Sequence, residues 1–185
     1  VLGPGLGRAA ETVAFARALA AAAPVPLVLD ADGLNAHAGR IDELAGRTHP
    51  TVLTPHGGEL ARLLDLRSDA VAARRLELAR EAARRSGAIV VLKGDDTLVA
   101  RPDGCVAVSR GAAPALATAG TGDVLAGVIG AFLARGVDPF TAACAGVELH
   151  RRAGRIVAER VGIEGALAGD VVAALPAARR GGGVG

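Results

Sequence analysis

Three short apolar runs limit what this chain can become. Residues 24–29 (PVPLVL), 51–54 (TVLT) and 88–92 (AIVVL) each read as a short buried strand, and each stops at a polar cluster. The clusters are Asp30-Ala31-Asp32-Gly33-Leu34-Asn35, His56-Gly57-Gly58-Glu59 and Lys93-Gly94-Asp95-Asp96-Thr97. Residues 8–23, and 60–86 with a break near 66–69, carry the Ala-rich or periodic pattern of helices. Strands alternating with helices predict an α/β fold with a mostly parallel central sheet and helices on both faces. In open sheets of this kind the site lies beyond the carboxyl ends of the strands, so the three clusters are expected to converge on one crevice.

The rest of the chain extends the pattern. A hairpin is predicted from 98–101 and 105–109 around a Pro102-Asp103-Gly104 turn. Helices follow to about residue 135, from about 139 to 160, and from 169 to 178. No internal repeat or interdomain linker stands out, so residues 1–178 read as one domain and 179–185 as a frayed Gly-rich tail. The chain opens on Val1-Leu2, a strand-like pair that runs into the Gly3-Pro4-Gly5-Leu6-Gly7 turn, as if from the middle of a fold.

A fourth polar element joins the crevice. Ala119-Gly120-Thr121-Gly122-Asp123 is a glycine turn that ends in an acid and leads into an apolar helical run. Such a turn aims several backbone N–H groups and the positive end of a helix dipole at one spot. The amides of Gly120, Thr121 and Gly122 would hold phosphoryl oxygens as charge builds. Asp123 is placed as a general base for a hydroxyl, or as a first-turn helix cap. Lys93 is the single lysine among 21 basic side chains, and it stands at a strand end where a compact ammonium suits a phosphate. Asp95, Asp96 and Thr97 read equally as nucleotide contacts or as a polar turn. His56 and Glu59, three apart at a helix start, can face one crevice, while Glu59 also fits a capping box. Asp30 and Asp32 suit the neighbourhood of a magnesium ion, or the capping of turns. His37, His49 and His150 read as structural or surface residues.

Composition excludes other classes. A formal net charge of +2 argues against a nucleic-acid surface. The acids and arginines at 74, 75, 77, 80, 81, 84 and 85 read as a solvated helix face. Cys105 and Cys144 read as reduced core residues. With no signal peptide pattern and no membrane-length apolar run, a cytoplasmic location is expected.

The strings GPGLG (3–7), LDADGLN (29–35), LTPHGGE (53–59), VVLKGDDT (90–97), ATAGTGDVLAG (117–127) and AACAGVELH (142–150) resemble, in this order, those of the NAD(P)H-hydrate dehydratases of the ribokinase-like superfamily. The resemblance implies a ribokinase-like domain whose early N-terminal strands lie outside this sequence. It implies repair of damaged nicotinamide cofactor by a lyase. ADP, or ATP in eukaryotic members, would phosphorylate the hydroxyl of (S)-NAD(P)H hydrate, and loss of phosphate would restore NAD(P)H. By position, Asp123 takes the catalytic place and touches substrate together with Gly5 and His56. Lys93, Gly94, Asp95, Asp96, Thr97 and Gly122 take the nucleotide, and Glu59 is the candidate for Mg2+. The resemblance also implies homo-oligomers and an NAD(P)H-hydrate epimerase, fused or separate. The chain departs from the family pattern at Gly57, where Pro is usual, and across 111–114. Two other functions fit the same residues: a small-alcohol kinase of the hydroxyethylthiazole or hydroxymethylpyrimidine type, and an inactive nucleotide-binding fragment.

Overall fold

The computed structural model describes residues 1–111 and 113–180. Ala112, in the departing 111–114 segment, and residues 181–185 of the expected tail lie outside the described residues. Three parallel strands form one side of the sheet: β1 (Leu27–Leu29), β2 (Thr51–Leu53) and β3 (Ile89–Leu92). The expected hairpin continues it as β4 (Thr97–Ala100) and β5 (Val106–Ser109), both antiparallel, so the sheet is mixed, in the order β1-β2-β3-β4-β5. β1 starts later than the apolar run because Pro24 and Pro26 have no N–H to give a ladder. On the outer side of β1, Leu2 makes a parallel bridge to Leu29, its N–H donating to Val28 O at 2.8 Å.

The helices are α1 (Ala10–Ala22), α2 (Ala31–Asn35), α3 (Gly57–Leu64), α4 (Ser68–Ala73), α5 (Arg75–Ser86), α6 (Thr121–Ala134), α7 (Pro139–Val161) and α8 (Ala168–Arg180). The break expected near 66–69 is real, and Asp65 makes it in the left-handed region at φ 55°. Arg179 and Arg180, expected in the tail, continue α8. The five-residue α2 and the 3-10 turns Ile41–Gly46 and Pro114–Ala117 are too short to show as periodicity in the sequence.

The strand alternation sorts the core into two layers. Leu27, Leu29, Leu53, Val90 and Leu92 face α2, α3 and α5, while Val28, Val52, Ile89 and Val91 face α6 and α7. Each fully buried leucine contributes about 2 kcal/mol. A third cluster joins α7, α8 and the Pro114–Ala117 turn. Cys105, expected in the core, is exposed beside the hairpin turn, and Cys144 is half-buried. The Arg-rich face of α5 is not merely solvated: Arg80 donates to Gly104 O and Arg85 makes a bidentate pair with Asp42. No described helix is long and apolar enough to cross a membrane.

The N-terminal segment is set against the end of β1 by two glycines. A Cβ on Gly3, whose φ is 133°, would lie 1.7 Å from Asp30 O, and one on Gly33 would lie 2.5 Å from Leu2 O. A Cβ on Gly5 would meet open space, although its φ is 71°. Gly3→Ala should therefore lower the unfolding free energy by about 2 kcal/mol or more. Gly5→Ala should cost only the left-handed strain of about 1–2 kcal/mol. Urea unfolding of the two variants checks this, and equal losses would contradict it.

Candidate active site

The three clusters meet where the strands end. Asp30 follows β1, Glu59 lies in the first turn of α3 after β2, and Lys93 follows β3. The Lys93 N–H donates to Pro55 O at 2.8 Å, tying the ends of β2 and β3 together. Its ammonium Nζ lies 2.9 Å from Asp30 Oδ1 and 3.9 Å from Glu59 Oε2. Both carboxylates are nearly closed off, Asp30 at 2% exposure and Glu59 at 6%. Removing the ammonium would leave buried charge unpaired, which typically costs several kcal/mol. Asp30 stands at the N-cap of α2 yet makes no cap, because its side chain is turned to Lys93. The next residue, Ala31, sits at φ 48°, a strained conformation for a residue with a Cβ.

Glu59 also forms the capping box. Its Oε2 accepts from the His56 N–H at 2.9 Å, and His56 Nδ1 accepts from the Gly58 and Glu59 amides at 3.0 and 3.4 Å. Because Nδ1 accepts, the ring proton is carried by Nε2, 3.6 Å from Glu59 Oε1. The cap fixes the imidazole while leaving its side chain 55% exposed.

From above, α6 closes on the ammonium. A Cβ on Gly122 would lie 3.4 Å from Lys93 Nζ and 3.8 Å from Asp30 Oδ2, so the helix backbone comes within ordinary contact distance of the ion pair. Gly120 caps this helix at φ 85°, and Thr121 Oγ1 donates back to Leu116 O and Thr118 O at 2.6 and 2.8 Å, which fixes the turn. Among the described residues the Gly120 and Gly122 N–H groups have no partner, whereas the Thr121 N–H turns to Thr118 O at 3.3 Å. The expected cradle of three amides therefore has two open donors. Asp123 is exposed, and no hydrogen bond or ion pair engages its carboxylate among the described residues. It does not cap the helix.

A cavity of about 610 Å³ opens beside this turn, a volume suited to a nucleotide-sized ligand. Lys93, Gly94, Asp95, Thr97 and Gly122 line it, so five of the six expected nucleotide contacts stand together. Asp96 faces away: its Oδ1 accepts from the Gly111 N–H at 3.0 Å. Leu116, Leu125, Val147 and Ile163 supply apolar wall. Gly5, His56 and Asp123 lie outside this cavity, on exposed surface. Asp32 does not pair with Asp30 around one site. Its oxygens accept from the Gly7 N–H, Arg8 Nε and Asn35 Nδ2, and the Arg8 guanidinium holds its carboxyl below the usual carboxylate range.

The donor set has two carboxylates sharing one ammonium. It fits an ion such as Mg2+, which takes one or two carboxylates and fills the rest of its shell with water and phosphate oxygens. Among the described residues no group of three or more His, Cys, Asp or Glu could hold a metal by itself.

His150 is the residue that the sequence reading passed over. It lies on α7 at 7% exposure, lines the cavity, and its Nε2 is buried without a partner among the described residues. The spacing Ala143, Val147, His150 along the buried stripe of α7 was the available signal. Burial pushes its pKa down to about 4, the Thr121 backbone opposes this, and the nearby Lys93 ammonium adds to it. The ring beside the glycine turn is thus neutral. Between about 6.5, the ordinary histidine value, and about 4, the unfolded chain binds a proton that the folded chain refuses. Stability should fall as pH drops through that window, by up to about 3 kcal/mol from this group. Burial lowers the His37 pKa as well, so the comparison needs a variant. Urea unfolding at about pH 7 and about pH 4.5 should show His150→Leu losing less stability than the wild type. Equal losses would contradict the assignment.

Comparison with known proteins follows this geometry. A family model described as NAD(P)H-hydrate dehydratase matches residues 1–177. The bifunctional NAD(P)H-hydrate repair enzyme Nnr of Moorella thermoacetica is 43% identical over 175 residues, covering 95% of this chain and 33% of that protein. The ADP-dependent (S)-NAD(P)H-hydrate dehydratase of Xanthomonas campestris is 42% identical over 176 residues, covering 95% of this chain and 59% of that protein. Among solved structures, the ADP/ATP-dependent NAD(P)H-hydrate dehydratase from Bacillus subtilis, co-crystallized with ATP/Mg2+, superposes with a TM-score of 0.82 at 32% identity, over 97% of this chain and 62% of that one. The expected α/β, ribokinase-like fold class holds. The chain spans between about a third and three fifths of the length of these relatives.

Proposed function

The chain belongs to the NAD(P)H-hydrate dehydratase family, and from that premise we propose that it carries out the nucleotide-dependent step of nicotinamide cofactor repair. The substrate is (S)-NAD(P)H hydrate, and the phosphoryl donor is an adenine nucleotide, ADP in preference to ATP. The names of the similar proteins support this reading. The observation that carries it is the unengaged Asp123 carboxylate one residue beyond Gly122, where the helix backbone meets the Lys93 ammonium.

The nucleotide lies in the cavity with its terminal phosphate at the start of α6. The Gly120 and Gly122 amides, the helix dipole and Lys93 take the charge on the phosphoryl oxygens. Asp123 accepts the proton of the substrate hydroxyl as its oxygen bonds to phosphorus and the donor bridge breaks. The phosphate ester then leaves as inorganic phosphate, and loss of a proton from the ring completes the double bond of NAD(P)H. His56, held by its cap, and Gly5 border the exposed face on which the hydrated ring docks. Glu59 and Asp30 would hold Mg2+, which when bound neutralises phosphate charge.

An epimerase acting on the same hydrate, fused or separate, is part of the proposal, because the Moorella relative is named bifunctional. Self-association is part of it too, supported by the exposed Phe15 and Leu19 of α1, and so is a cytoplasmic setting. The test is incubation of the intact protein with hydrated NADH and ADP, followed by the absorbance of reduced nicotinamide. Asp123→Asn should slow its recovery by about 10²–10⁴-fold while leaving ADP affinity within about threefold. No recovery with the wild type, or build-up of a stable phosphorylated product as a small-alcohol kinase gives, would overturn the proposal.

A further inference from the structure

Arg75 is the first residue of α5, where the helix dipole disfavours a cation. Its neighbour Arg74 pairs with Glu77 along the helix, but Arg75 has no carboxylate partner among the described residues. Instead its Nη2 donates to Asp96 O at 2.8 Å and to Lys93 O at 3.4 Å. The guanidinium lies against Gly94: a Cβ there would sit 2.6 Å from Nη2, 2.8 Å from Nη1 and 2.9 Å from Cζ. One planar cation thus spans both ends of the 93–96 loop from outside. The inner side of the same loop presents Lys93, Gly94 and Asp95 to the cavity. The Asp96 side chain fastens the loop to Gly111, while its carbonyl accepts from Arg75.

We propose that Arg75 is a positioning residue for the nucleotide: its guanidinium clips the Lys93–Asp96 loop from behind and sets the curvature that offers the loop backbone and the Lys93 ammonium to the phosphates. The proposal rests on reading the cavity as the adenine-nucleotide site. A guanidinium suits this task, because its flat face lies against the glycine backbone while one edge donates to both carbonyls, a shape that an ammonium lacks. Gly94 is then required by the clip, since any side chain would displace the guanidinium.

The experiment measures ADP affinity by calorimetric titration, KM and kcat with hydrated NADH, and amide hydrogen exchange of residues 93–97, for the intact wild type and for Arg75→Ala, Arg75→Lys and Arg74→Ala. Arg75→Ala should weaken ADP binding about tenfold, as expected for loss of hydrogen bonds from a charged group. At saturating ADP its kcat, and its KM for hydrated NADH, should stay within about twofold. Exchange at 93–97 should quicken without nucleotide. Arg75→Lys should recover little of the affinity, millimolar methylguanidinium should recover part of it in Arg75→Ala, and Arg74→Ala should match the wild type. Wild-type ADP affinity in Arg75→Ala, or unchanged exchange in the loop, would overturn the clip while leaving the nucleotide site standing. A parallel loss of ADP and hydrated-NADH binding with a lowered Tm would reduce Arg75 to a folding role and also overturn it. If the wild type itself binds no ADP, the reading of the cavity falls and this proposal with it.

Discussion

The ammonium of Lys93 is the point on which the site depends. It lies within ion-pair reach of two nearly buried carboxylates that arrive from different strands, Asp30 from the end of β1 and Glu59 from the helix after β2. A buried pair of this kind adds little net stability, but a missing partner is costly, so it specifies an arrangement more strongly than it stabilises one. Here it fixes the relative ends of three strands and leaves a cation facing the open amides of α6. Gly122 brings the helix backbone to it, at a distance where a Cβ would just touch the ammonium. The proposed anion site would thus be assembled from a loop, a helix start and a charge, each held by a different part of the fold.

The architecture explains why these pieces meet. Parallel strands that leave the sheet in one direction deliver their following residues to one edge. The alternating core keeps both faces of the sheet covered, so strand ends are fixed to within the packing of their leucines and valines. That edge carries backbone strain at Ala31 and the close contact of Gly3 with Asp30. The neutral His150 ring lies beneath the glycine turn, and Arg75 holds the facing loop from outside.

Much of this was legible in the sequence, and the rest was hidden for identifiable reasons. Short apolar runs ending in polar clusters announce strands and a crevice, because burial and alternation are local properties. The capping box of His56 and Glu59 was one of two open readings, and the structure shows that it coexists with the reach of Glu59 to Lys93. Asp96 could not be told from Asp95, since which of two adjacent acids faces a cavity depends on how the loop curls. Arg75 read as part of a solvated face, because helical periodicity says nothing about a carbonyl 21 residues away. His150 carried a signal in its spacing from Val147, but an isolated histidine on an apolar stripe is more often core than site. Asp30 and Asp32 looked like a pair, whereas their side chains serve Lys93 and the Gly7-Arg8 turn.

In the proposed reading, the Lys93 ammonium and the start of α6 take the phosphate of the nucleotide. Calorimetric affinities for ADP and for adenosine, measured in Asp30→Asn and in Asp30→Asn with Lys93→Met, test it most directly, since neither variant keeps the buried Asp30 charge. The single variant should prefer ADP by about tenfold or more, and the double variant should lose most of this preference while keeping its adenosine affinity. An ADP preference that survives intact without Lys93 would contradict it.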